Sequence, residues 1–114
     1  MIIEETIRNY LNEKLDCDVW LEIPKGTVMP AEYVLVMKTG SSRENHINHA
    51  VVALQSYAAS LLDAMELNEA VKEAMDALIT QNSVSAAALN SDYDFTDTQT
   101  KAYRYQAVYD ITHY

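Results

Sequence analysis

A chain of 114 residues is the length of one domain, and at that size it buries roughly two-thirds of its unfolded surface. Its 17 acids against 8 bases leave a formal net charge of −9, which argues against a sequence-reading nucleic-acid binder, because such proteins carry a basic face. Two glycines, two prolines and one cysteine exclude a glycine-rich phosphate loop and an internal disulfide framework.

The elements follow in chain order. Glu4 to Leu15 is expected as a helix, with Ile3, Ile7, Tyr10, Leu11 and Leu15 spaced for one face. Glu4 and Glu5 sit at its positive N-terminal end, where acids are favourable. They follow Ile2-Ile3 so closely that the start does not read as a signal peptide. Cys17 lies between Asp16 and Asp18, and neighbouring negative charge disfavours a reactive thiolate. Val19 to Ile23 is expected as a short strand with Val19, Leu21 and Ile23 on one side. Its Trp20 is either a stacking platform or, as is commoner, core or interface packing. Pro24 to Pro30 is a loop. Tyr33 to Lys38 (YVLVMK) and Ile47 to Tyr57 (INHAVVALQSY) are expected as paired antiparallel strands, joined by the polar connector Thr39 to His46. Its tip, Gly40 to Asn45, has too little apolar surface to anchor itself and is expected to be mobile in the isolated subunit and ordered in an assembly. His46 and His49 invite a metal reading, but positions three apart on a strand face opposite ways, so no metal site is expected there.

Ser60 to Ile79 is the stretch the rest is organised around. Ala64, Leu67, Val71, Ala74, Met75 and Leu78 recur at helical spacing, and Ser60 with Asp63 has the form of a capping box. A helix of that length is a rod of about 30 Å and needs a sheet to cover its stripe. Thr80 to Ser83 is a turn, and Val84 to Leu89 a short strand. Ser91 to Thr100 is read as a polar, acidic loop: Asp92, Asp94 and Asp97 hint at calcium, but Asp97 and Tyr103 stand where an EF-hand loop needs Gly and Glu. Lys101 to His113 alternates as a final strand, with Tyr103, Tyr105, Ala107, Tyr109 and Ile111 on the face that packs on helices. No apolar run approaches the ~20 residues of a membrane span. The expected fold is therefore α+β, a mostly antiparallel sheet with two helices on one face, in the order α-β-β-β-α-β-β over residues 1–114.

Four runs carry a resemblance. Asn90 to Thr98 (NSDYDFTDT) followed by Tyr103 to Ile111 (YRYQAVYDI) is similar to small proteins encoded in the tail modules of phages and prophages of Gram-positive bacteria. Ser42 to His49 (SRENHINH) and Leu67 to Val71 (LNEAV) resemble the same group. The family these runs resemble is that of tail terminator, or head–tail joining, proteins of long-tailed phages. The resemblance implies a small α+β structural subunit that forms a homo-oligomeric ring of six, caps the tail tube and joins tail to head. Its implied partners are further copies of itself, the tail tube protein and a head-completion protein, with DNA passing through without sequence-specific binding and no membrane involved. Its implied place is the host cytoplasm during assembly and then the neck of the virion. No catalytic residue, cofactor or metal ligand carries over. The candidate interaction residues are Ser42, Arg43, Glu44 and Asn45 in the connector, together with Tyr93, Phe95 and Arg104.

Two rival classes fit the residues less well. An acidic inhibitor that mimics DNA needs carboxylates along one face at duplex-like spacing, whereas here they are scattered over helices and loops. A hydrolase using Asp and His needs a nucleophile motif beside His46, His49 or His113, and none is present.

Overall fold

The computed structural model describes residues 2–114. α1 (Ile3–Lys14) opens the chain, followed by β1 (Asp18–Trp20), β2 (Tyr33–Glu44), β3 (Ile47–Ala58), α2 (Leu61–Met75), β4 (Val84–Asp94) and β5 (Tyr103–His113). The fold is α+β in the expected order, with one five-stranded sheet of strand order β1-β2-β3-β5-β4. β1 runs parallel to β2 and every other pair is antiparallel. Both helices pack on one face of the sheet, and one core is drawn from all of these elements, including Ile7, Leu11, Val34, Leu54, Val71 and Ile111.

α1 buries Ile3, Ile7, Tyr10 and Leu11, the stripe its spacing indicated. Tyr10 reaches across to α2, where its hydroxyl donates to Ala74 O at 2.6 Å. α2 begins at the expected cap: Ser60 Oγ accepts from Asp63 N–H at 3.1 Å. The helix is shorter than its periodicity implied. It ends at Met75, and a 3-10 turn at Leu78–Thr80 completes the run. That tighter turn still buries Leu78 but leaves Ile79 exposed.

Three strands differ from expectation. β1 stops at Trp20, so Leu21 and Ile23 do not join Val19 in the core but are exposed on the loop to Tyr33. Gly26 in that loop has φ +72, a conformation that suits glycine. The polar connector is not a loop. β2 continues through Thr39 to Glu44, paired residue by residue with Ile47–Val51 after a bulge between Lys38 and Gly40. Past Thr39, the residue at the bulge, only Asn45 and His46 lie outside the ladder, with φ 51 and 65. Positive φ at both central residues is the two-residue hairpin geometry whose twist matches that of the strands. Asn and His tolerate it better than most side chains. His46 is thus in a turn and His49 on β3, where Nδ1 lies 3.2 Å from Thr112 Oγ1. The third difference is β4, which runs on through Ser91 to Asp94 instead of giving way to a loop at Ser91.

β5 packs Ala107, Tyr109 and Ile111 under the helices as the alternation required. Eleven extended residues reach about 36 Å, so β5 fits only along the 43 Å axis of a molecule measuring 43 × 27 × 22 Å. The hairpin turn at Asn45-His46 lies toward one end of that axis and the start of β5 toward the other. Among the described residues no helix is long and apolar enough to cross a membrane.

Candidate interaction surface

The helices cover one face of the sheet and leave the other open. Strand alternation puts Leu35 and Met37 of β2, Val51, Ala53 and Gln55 of β3, and Gln106 and Val108 of β5 on that open face. Ala53 is only 1% exposed there, because Met37 and Val108 flank it in register and overhang its small side chain. The open face is therefore apolar at its centre without being covered by any layer.

Toward the end of the sheet away from the hairpin turn, one row of side chains crosses all five strands. Trp20 lies against Tyr33 with centroids 5.5 Å apart, and Tyr33 stacks on Tyr57 at 4.6 Å. The Arg104 guanidinium carbon sits 5.8 Å from the Tyr57 ring and 4.5 Å from the Phe95 ring. Phe95 meets Tyr93 edge-on at 6.0 Å. The arrangement follows from register. Tyr33 pairs with Tyr57, Tyr57 with Arg104, and Phe95 N–H donates to Arg104 O at 2.9 Å.

A line of hydrogen bonds runs beneath this row. Arg104 Nε donates to Phe95 O at 2.6 Å and Nη1 to Tyr57 Oη at 3.0 Å. Tyr57 O–H donates to Gln55 Oε1 at 3.0 Å, Gln55 Nε2 to Gln106 Oε1 at 2.8 Å, and Gln106 Nε2 to Tyr93 Oη at 2.7 Å. Gln55 and Gln106 are buried at 7% and 9% exposure, so these bonds satisfy groups that would otherwise be costly. From Arg104 Nη1 onward the four donors all point along the line to Tyr93. The Tyr93 hydroxyl accepts within the line, which leaves its own hydrogen for an acceptor outside the protein. Tyr33 is pushed above the usual tyrosine range by burial first and then by neighbouring Tyr57. Among the described residues no carboxylate lies within 4.0 Å of Arg104. Arg104 is thus braced between two rings without a direct ion pair, and Asp97 is near enough to feel its charge.

The seven candidate residues fall into two groups. Tyr93, Phe95 and Arg104 come together in the row. Ser42, Arg43 and Glu44 lie on β2, with Asn45 in the turn, at the opposite end of the sheet. The length of β3 separates the groups, roughly 33 Å at extended rise. Ser42 and Glu44 face the open side with His49, whereas Arg43 faces the helix side. There Arg43 borders a hollow of about 380 Å³ with Glu4, Lys38 and His113. Trp20, Tyr33, Tyr57, Gln55 and Gln106 complete the row but carry no sequence spacing in common; cross-strand register alone brings them together. Among the described residues no group of three or more His, Cys, Asp or Glu is placed to hold a metal ion. Cys17 is pushed up to about 11, by burial first and then by Glu32 and Asp18, the direction its acidic neighbours indicated.

No family model matches the chain, and no curated protein matches it significantly.

Proposed function

We propose that this protein is a structural subunit of phage tail assembly, one that forms a ring on the end of the tail tube and joins tail to head. The observation that carries the reading is the open sheet face with its row from Trp20 to Tyr93. Half-buried and exposed aromatic side chains beside a part-exposed arginine are the composition of protein–protein contact surfaces. Antiparallel sheets often leave one face in water, but here the centre of that face is apolar, which suits a neighbour. The resemblance of Asn90–Thr98 and Tyr103–Ile111 to tail-module proteins names the neighbour. The partners are further copies of the chain, the tail tube protein and a head-completion protein. Acidic groups around the passage repel phosphate and let DNA slide. The alternative reading is an acidic DNA-mimic inhibitor of a host nucleic-acid-binding protein.

Co-sedimentation separates the two. The chain is expected to pellet with assembled tail tubes, and Arg104→Glu, which puts an acid at the centre of the row, to weaken that at least tenfold. Capture of a basic host nucleic-acid-binding protein, with no binding to tubes, supports the inhibitor instead.

A further inference from the structure

Two stretches of this sheet have backbone with no strand beside it. β1 covers β2 only over Tyr33–Leu35, so β2 from Val36 to Glu44 has an unpaired outer edge. β4 ends the strand order on the other side and is unpaired along its outer edge over Val84–Asp94. Exposed edges recruit further strands, and proteins that must stay single blunt them. β1 is blunted here: the Asn12 amide donates to Val19 O at 3.2 Å and accepts from Val19 N–H at 3.1 Å, so a side chain takes the place of a strand. Val84 to Ser91 of β4 (VSAAALNS) carries no charge and no proline. Bulges mark its register near Val84 and Leu89, but between them Ala86 to Leu89 pairs regularly with β5.

The registers set the two free edges at one level. Ser42 is in line with His49, Thr112 and Ala86, and Gly40 with Val51, Asp110 and Ala88. The open stretch of β2 therefore stands level with the uncharged half of β4, on opposite sides of one molecule. Strand direction fits as well. β2 and β5 run one way, β3 and β4 the other. A second copy rotated about an axis along the strands brings its β4 antiparallel to β2 of the first without being inverted.

We infer that the β2 edge of one copy pairs with the β4 edge of the next, so that one continuous antiparallel sheet runs around the ring. The inference rests on the ring reading above and adds the surface that closes it. Charge agrees: β2 brings Lys38 and Arg43 against the single acid Glu44, and the facing half of β4 brings none. Subunits of net charge −9 thus meet where their acids are fewest. In a closed ring neither edge remains free. With four strands from each copy in the continuous sheet, six copies enclose a cylinder roughly 40–50 Å across.

Cysteine cross-linking tests this on the full chain. In a Cys17→Ser background, Ser42→Cys is combined with Ala86→Cys, or with Ala88→Cys to allow a stagger of two residues. Under conditions where the chain assembles, mild oxidation is expected to give a ladder of covalent multimers ending at the ring mass, from at least one pair and from neither single-cysteine parent. Thermal melting of the reduced variants checks that they fold. Rings that sediment normally but yield no ladder at either register overturn the edge pairing and leave the ring reading standing. Dimers from Ala86→Cys alone overturn it in favour of two-fold pairing through β4. A chain that never assembles overturns both readings.

Discussion

At Arg104 the guanidinium is flanked by the rings of Tyr57 and Phe95 and spends two of its donors on Tyr57 Oη and Phe95 O. A planar, delocalised cation suits that slot in a way a lysine ammonium does not. Arg104→Ala removes both ring contacts and both hydrogen bonds, and is expected to lower stability by about 1–2 kcal/mol. Arg104→Lys keeps the charge and should recover less than half of that. Urea denaturation measures both, and an Arg104→Ala midpoint equal to that of the unsubstituted chain would show that the slot holds nothing together. Tyr93, Phe95 and Arg104 stood out in the sequence only as candidate interaction residues within the runs near the C-terminus. Their partners Tyr57 and Trp20 did not, because Trp20 and Tyr93 are 73 positions apart in the chain and become neighbours of one row only through strand register. Gln55 and Gln106 were invisible for the same reason: each reads as an ordinary polar residue until the other stands opposite it.

Among elements, β4 is held to the helix layer by one polar clamp. Asp92 accepts from Lys72 Nζ at 2.8 Å and from Asn68 Nδ2 at 2.9 Å, and Lys72 also pairs with Glu69 at 2.9 Å. The Asp92 carboxyl is held below the usual range by the Lys72 hydrogen bond, helped by Asn68 and opposed by burial, while the same bond raises Lys72. The folded state binds the Asp92 proton more weakly than the unfolded chain does. The clamp's contribution is therefore complete above the ordinary carboxylate pKa and is lost as pH falls through the lowered folded value. On the lysine side it is complete below the ordinary lysine pKa and lost only as pH rises through the raised one, so both halves hold at neutral pH. Asp92→Asn, which removes the charge but keeps an acceptor for Asn68, should cost about 1–2 kcal/mol at pH 7. Its urea midpoint should converge with that of the unsubstituted chain as the solution is taken below about pH 4. A gap that stays constant through the acid range contradicts the clamp. The α2 stripe and the Ser60 cap were readable, because a helix writes its burial into spacing. The extension of β2 and β4 was not. Glu44-Asn45-His46-Ile47 lacks the glycine that announces a two-residue turn, and Thr39–Glu44 and Ser91–Asp94 are too polar to read as strand. They can be strand here because one face of the sheet is open and both run along its edges.

At the scale of the whole molecule, shape favours association and charge opposes it. A body of 43 × 27 × 22 Å with helices on one side and an open, apolar sheet on the other has a face and two edges to complete. A charge of −9 on each copy accumulates in any ring and is felt over about 10 Å at moderate salt. Heterologous contacts close into a ring when the rotation between copies permits, so the balance should tip with screening. The α+β class, the two-helix layer and the element order followed from the sequence pattern; which face stays open followed only from the packing. The most direct test of the ring is light scattering across a sodium chloride and magnesium series, with and without assembled tail tubes. The expected result is a mass near the 12.9 kDa of one chain at low ionic strength, rising to a plateau at one closed multiple as salt or magnesium screens the carboxylates. A mass that stays at one chain under every condition, with none of the protein on the tubes, contradicts it.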